Sequence, residues 1–322
     1  MGLIETLKKQ GGIKLILKLL KNRMLFMTLI QILVLGKNRI SLEIIRLMLE
    51  LKLKLKLEKK YKKKLLEFDK NFLEDNRKEK ERLNKIWVCW FQGLETAPFI
   101  VKKCYESLKK NFLNSEVILI TNENLEKYVQ FPKYILEKWK EGKISYTHMT
   151  DLLRLELLIN YGGTWIDSTV FCTKKQEEIP EYYFNSELFL YQTLKPGKDG
   201  HVHIISSWFM TAKKNNKILM AVRYLCYEYW KKENKLIDYF LLHYFFVLVL
   251  EFYKEDWQKI IPKDNSTPHI LLLRLFDTYD EKIWNRLRLE EPFHKLTYKF
   301  DKESILKEKT FYKEIFKGEH ND

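Results

Sequence analysis

The sequence predicts an α/β fold, a single Rossmann-type mixed sheet flanked by helices and preceded by a basic, amphipathic helical region. Three observations predict it. From residue 85 onward, short runs of apolar, β-branched and aromatic residues alternate with longer helical patterns. The first two of those runs enclose one helix, the order that gives a parallel pair with a crossover. Before residue 85, Leu and Ile recur at three- and four-residue spacing among many Lys and Arg and few acids, the pattern of helices with a basic face.

In that first region, residues 1–84, the apolar run 24–35 is too short to cross a bilayer, which needs roughly 20 residues. Lys21 and Arg23 precede it, Lys37 and Arg39 follow it, and "LGKNRIS" is a poor cleavage site, so the run reads as internal and uncleaved. The stretch "LKLKLKL" at 51–57 alternates as a strand would, but its flanks are helical, and both readings stand. Residues 68–85 are charged on all sides and read as a connector. Two roles stay open for the region: lying on an anionic membrane surface, or packing as a lid on the next domain.

The domain at 85–300 opens with "KIWVCWF", a buried strand closed by Gly93. "APFIVKKCYESLKKNF" follows as a helix with Pro98 in its opening turn. "EVILIT" is the second buried strand, with Asn122 or Asn124 available as a cap. A ligand is expected beyond the carboxyl ends of such strands, where Trp90 and Gln92 sit. "THMTDLLRLELLINYGG" is a helix ended by glycine; apolar side chains fall almost all round it, so it is expected to be buried. Thr147, Asp151 and Arg154 form its one polar stripe, readable as a structural ion pair or as a slot facing a ligand. "SELFLYQT" and "SSWFMTA" read as strands, and "NKILMAVRYLCYEYWKK" and "LIDYFLLHYFFVLVLEFY" as long helices in which His243 is a core residue. His201 and His203 flank a loop. In "EPFHKLTYK", His294, Lys295 and Lys299 alternate with apolar residues; an exposed basic strand is the plain alternative to a site. Residues 301–322 read as a charged tail.

A hydrophobic fraction of 46% with 14% aromatics supports a sizeable core and excludes a disordered chain. The net charge of +15 fits an anionic partner, or simply solubility. The aromatics look like core rather than a stacking platform, so nucleic acid is not expected. Cys89, Cys104, Cys172 and Cys226 are far apart with no CxxC, and no HExxH occurs. That argues against zinc and against a disulfide framework and fits a reducing cytoplasm.

The most specific stretch is "YGGTWIDSTVF" at 161–171. Two glycines turn the chain tightly into a strand of Thr164, Trp165 and Ile166. Asp167 falls where that strand opens, and a carboxylate buried there costs several kcal/mol unless it is paired or binds a metal.

The block "DLLRLELLINYGGTWIDSTVF", together with "IWVCWFQGLETAPFIVKKCYESLKKNF", resembles the bacterial capsular polysaccharide synthesis protein family. That family is similar to retaining GT-A glycosyltransferases, with a DxxR helix, a Gly-Gly turn and a DxD-type strand. The resemblance spans about residues 85–299 and includes "SSWFMTAKKNN", "NSTPHILLLRLF" and "PFHKLTYKF". It implies a GT-A-like domain and a retaining glycosyltransferase. Such an enzyme moves a hexose from a nucleotide-diphosphate sugar, a UDP-sugar above all, to a lipid-linked or growing capsular or surface polysaccharide. It is expected in the cytoplasm, at the inner face of the cell membrane. Asp151, Arg154 and Asp167 would be the catalytic group, with Trp90, Gln92, Thr169, His294 and Lys299 completing the donor site. Asp167 and His294 would be the metal ligands. The motif reads Asp167, Ser168, Thr169, with the second acid replaced by a hydroxyl. A D-S/A-T form is usual in the capsular branch, so activity is compatible with the change, but a need for Mn²⁺ or Mg²⁺ is put in doubt. Lys and Arg are the other means of neutralising the diphosphate. A glycosyltransferase fold that has lost activity with its second acid, acting at the membrane surface, is the alternative.

Overall fold

A computed structural model of the chain describes residues 19–20, 24–36, 38–72, 84–194 and 202–316. His201, most of the charged connector, the basic residues Lys21, Arg23 and Lys37, and residues 317–322 lie outside the described residues.

Among the described residues, two long helices precede the sheet, α1 (Leu25–Leu35) and α2 (Arg39–Asn71). Gly36 turns the chain between them at φ 78°, and the Asn38 side chain accepts the Ser41 N–H at 2.8 Å to cap α2. The "LKLKLKL" run is helical. Ile45, Leu53, Leu57, Tyr61 and Leu65 form one buried stripe at helical spacing, and this long-range packing overrides the local alternation. Leu51 and Leu55 are left exposed. The stripe packs on the helices α5 (Lys217–Lys232) and α6 (Leu241–Phe252), flanked by ion pairs from Lys60 to Glu233 and from Lys64 to Glu228. The lid-like packing belongs to α2; α1 keeps Phe26, Leu29, Ile30, Leu33 and Val34 exposed.

The main sheet holds five strands in the order β2-β1-β3-β6-β5: β1 (Lys85–Cys89), β2 (Glu116–Ile120), β3 (Gly163–Ile166), β5 (Leu188–Gln192) and β6 (Ile205–Ala212). Strand β1 runs parallel to both β2 and β3, whereas β6 is antiparallel to β3 and β5. The crossover between β1 and β2 is α3 (Phe99–Asn111), with Pro98 at its cap position. The expected mixed α/β sheet flanked by helices is therefore present. A second sheet of two antiparallel strands, β4 (Val170–Cys172) and β7 (Phe293–Lys295), adds to it.

Helix α4 (Tyr146–Tyr161) feeds β3 and is buried along most of its length between the sheet and α5. The turn that joins them requires glycine. Gly163 has φ 96°, and a Cβ there would stand 2.5 Å from the Lys85 carbonyl oxygen. The indole N–H of Trp87 donates to the Gly162 carbonyl at 2.8 Å, so the start of β3 is fastened to β1.

One expectation needs correction. Residues 301–316, expected as part of a charged tail, carry two short helices, α8 (Lys302–Leu306) and α9 (Phe311–Phe316), after α7 (Glu281–Glu290). Phe311, Tyr312 and Phe316 are buried against Leu271, Leu275 and Leu296. Three aromatics among charged neighbours were enough to anchor it.

Candidate functional site

The carboxyl ends of β1 and β3 lie side by side, and the charged residues of α4 and β3 meet there. Ser145 starts α4, its hydroxyl accepting the His148 N–H at 3.2 Å. One inward stripe of that helix then presents His148, Asp151 and Arg154. His148 Nδ1 is 3.2 Å from Asp151 Oδ2, and Arg154 Nη1 is 3.2 Å from Asp151 Oδ1. The other guanidinium nitrogen, Nη2, is 3.3 Å from Asp167 Oδ1. Arg154 thus bridges two carboxylates and also lies over the Trp165 ring at 5.1 Å. Burial raises the Asp151 carboxyl, but Arg154 and His148 outweigh it and hold the group below the usual carboxylate range.

Asp167 follows β3 directly. Its N–H donates to the Trp208 carbonyl at 2.8 Å, extending the β3–β6 pairing by one residue and fixing the side chain's direction. Oδ1 also accepts the Trp165 indole N–H at 2.9 Å. The other oxygen, Oδ2, is 3.3 Å from Lys295 Nζ. Lys295 Nζ donates in turn to the Thr169 hydroxyl at 2.5 Å. The Leu296 N–H, bonded to the Thr169 carbonyl at 2.8 Å, locks β7 against this loop. The side chain of Asp167 is 26% exposed and that of Lys295 19%, against 5% for Arg154 and 9% for Asp151. The pair Asp167 and Lys295 is therefore the mouth of the cluster, and Arg154 with Asp151 is its floor.

Asp151, Arg154 and Asp167 are in direct contact, and Thr169 is joined to them through Lys295. Trp90, half-buried, packs its ring edge-on against Tyr298 at 5.4 Å, and Tyr298 is exposed. Tyr239 is exposed near the same mouth; partial burial, then the charges of Asp151 and Asp167, raise its phenol. Gln92 is exposed past Trp90, its carbonyl taken by the Thr96 hydroxyl at 3.4 Å. Lys299 is also exposed, its ammonium 5.7 Å from the Tyr298 ring. These two flank the aromatic edge and are not joined to the charged cluster. Thr147 is exposed, and His148 takes its place on the stripe.

His294 is the second correction. Expected over the donor and as a metal ligand beside Asp167, it is buried on the other side of β7, because alternation along a strand sends neighbouring residues to opposite faces. Its ring lies 5.9 Å from that of Trp284, and Nε2 is 3.3 Å from the Thr173 hydroxyl. Burial pushes its pKa down to about 3. The side chain that reaches Asp167 is Lys295, which sequence reasoning placed among the basic residues of that stretch without giving it a role.

The donor set does not fit a divalent metal held by protein ligands. Mg²⁺ and Mn²⁺ want carboxylate and other oxygen donors, yet Asp167 stands between two cations and accepts the Trp165 indole N–H. Among the described residues, no group of three or more His, Cys, Asp or Glu comes together as a metal site.

A family model described as capsular polysaccharide synthesis protein matches residues 41–315 of the chain. An O-glycosyltransferase, PaGT, from Phomopsis amygdali is 25% identical over 150 residues, covering 42% of this chain and 36% of that protein. The match thus spans about a third of that relative's length. The solved structure of the PaToxG glycosyltransferase aligns with 66% of this chain and 86% of its own, at 14% identity and a TM-score of 0.39.

Proposed function

Since this chain belongs to the capsular polysaccharide synthesis protein family, we propose that it is a retaining glycosyltransferase that moves a hexose from a nucleotide-diphosphate sugar, with uridine the expected base. The acceptor is a lipid-linked or growing surface polysaccharide at the inner face of the cell membrane. The observation that carries this reading is the Arg154 guanidinium bridging buried Asp151 and part-exposed Asp167 at the carboxyl ends of parallel strands.

In the reaction, the bond from the sugar C1 to the β-phosphate oxygen breaks and its electron pair goes to the phosphate. The acceptor hydroxyl oxygen bonds to C1 from the same face, and its proton passes to the departing phosphate oxygen. Such a step needs charge stabilisation at the leaving group and a held acceptor more than a protein nucleophile. Arg154 stands ready for the diphosphate and Asp167 for the ribose or sugar hydroxyls. Asp151 and Trp165 act through those two, as positioning residues. Trp90 and Tyr298 offer an aromatic edge for the base.

The membrane part of the reading is supported by α1. Phe26, Leu29, Ile30, Leu33 and Val34 are exposed along it, with Ile40 and Ile44 of α2 nearby in sequence. Among the described residues no helix is long and apolar enough to cross a membrane, and the contact proposed is a peripheral one through this face.

A donor panel tested by thermal shift checks the transferase reading. A donor present at 100 times its dissociation constant stabilises the fold by about 2.7 kcal/mol. At least one nucleotide-diphosphate sugar is expected to raise the melting temperature and be hydrolysed slowly without acceptor. If no nucleotide sugar does either, the site is not a transferase site.

A further inference from the structure

We infer that the Lys295 ammonium takes the place a divalent metal holds in DxD-type sites, so that this chain binds and releases the donor diphosphate without a metal ion. The inference rests on the transferase reading for its substrate, but on Lys295, Asp167 and Thr169 for its geometry.

In a DxD site the first and third residues hold a cation between them, and in this chain the motif is a turn between β3 and β4, closed by the Val170 N–H on the Asp167 carbonyl at 3.0 Å. Here those positions are Asp167 and Thr169, and one nitrogen touches both: Lys295 Nζ is 3.3 Å from Asp167 Oδ2 and 2.5 Å from Thr169 Oγ1. An ammonium and a metal ion cannot share that space. Thr169 and Lys295 thus act as one unit, joined between the β3–β4 turn and β7. A second aspartate at 169 with Lys295 beside it would pair the lysine on both sides and leave it little pull on phosphate. Threonine accepts one hydrogen bond and adds no charge, so the ammonium keeps its field for an incoming ligand.

The backbone holds the device in place. Val170 pairs with Lys295 across β4 and β7, and the Leu296 N–H bonds to the Thr169 carbonyl, so the lysine's origin is fixed within one residue of the motif. Its part-exposed ammonium stands at the mouth, while Arg154 is on the floor behind Asp167. A diphosphate entering there meets one part-exposed and one buried cation. Lys295 would shift from Asp167 to the β-phosphate and stay with it as the bond to C1 breaks.

The test uses the full chain, with inorganic pyrophosphate and UDP as probes, titrated by calorimetry in EDTA and again with Mn²⁺. The wild type is expected to bind both probes equally well in the two buffers. Lys295→Ala is expected to lose about tenfold or more in affinity in EDTA, since a charged hydrogen bond is removed. Lys295→Met keeps the apolar stem, and its unchanged melting temperature would separate lost charge from lost folding. Thr169→Asp combined with Lys295→Ala is expected to recover binding with Mn²⁺ only. Binding by the wild type that appears only with Mn²⁺, or unchanged affinity in a folded Lys295→Met protein, would overturn the inference. Tight, metal-independent pyrophosphate binding without turnover of any sugar nucleotide would leave Lys295 standing and remove the transferase reading. No binding of either probe in either buffer would remove both.

Discussion

Helices α1 and α4 are both mainly apolar, and they solve the same problem in opposite ways. Along α4 the apolar residues are buried nearly all round, and the polar exceptions His148, Asp151, Arg154 and Glu156 are buried with them, the first three paired with one another and with Asp167, and Glu156 with Arg223. Along α1 only Thr28 is buried, and it needs no tertiary partner because its hydroxyl donates to the Met24 carbonyl at 2.9 Å. Phe26, Met27, Leu29, Ile30, Leu33 and Val34 face outward instead, while Leu25 packs on the core. Buried charge has to be neutralised by neighbours, so α4 is tied to one arrangement and makes a site. Exposed apolar surface calls for a covering surface, and α1 is the face that the proposed function sets against the membrane.

The largest expected effect breaks the α4 arrangement. Arg154→Ala would leave Asp151 at the floor and Asp167 at the mouth without their shared cation, a loss of about 3–5 kcal/mol of stability together with all donor binding, read by chemical unfolding and thermal shift. Arg154→Lys would keep charge but lose the two-sided bridge, giving a folded protein with weak donor binding. Asp167→Asn at the more exposed end is expected to cost far less stability than Arg154→Ala while still removing the donor effect. The contrast between floor and mouth would be wrong if the two variants unfolded alike.

A smaller effect concerns the two buried imidazoles. Burial pushes His243 down to about 4 and His294 down to about 3, while an unfolded histidine titrates near 6.5. Below about 6.5 the unfolded chain takes up protons that the folded chain refuses, so stability falls as the pH drops from about 6.5 towards 4. Melting temperatures across that window should show this, and His294→Phe should flatten the fall. A metal-binding or donor-binding His294 would instead alter the nucleotide titration, which is expected to stay unchanged in a folded His294→Phe protein.

The smallest effect on stability is at α1. Leu33→Glu with Val34→Glu, at side chains 84% and 77% exposed, should change unfolding by about 0.5 kcal/mol or less each. The same variant should reduce co-sedimentation with anionic vesicles several-fold. Equal sedimentation would take the membrane role from this face.

These contrasts also explain what the sequence could and could not say. The Gly162–Gly163 turn, the strand that ends at Asp167 and the helix bearing Asp151 and Arg154 were legible because their signals are local: spacing on one helix, a turn only glycine can make, an acid in an apolar run. Helical angle alone puts Thr147 nearer Arg154 than His148, whereas the first turn of α4 leaves Thr147 in solvent and buries His148. Lys295 and His294 differ by a single step along β7, and only the pairing of Val170 with Lys295 decides which faces the motif. That pairing joins residues far apart in the chain, which no local pattern encodes. The aromatics anchoring α9 were hidden in the same way by their charged neighbours.

The account stands on the Arg154–Asp167 pair as the seat of a sugar nucleotide, and one measurement reaches it directly: the donor-induced thermal shift of the wild type beside that of Asp167→Ala. The wild type should be stabilised by a nucleotide-diphosphate sugar, and the folded variant should show no shift with the same ligand. An equal shift in both proteins would place the donor elsewhere and contradict the account.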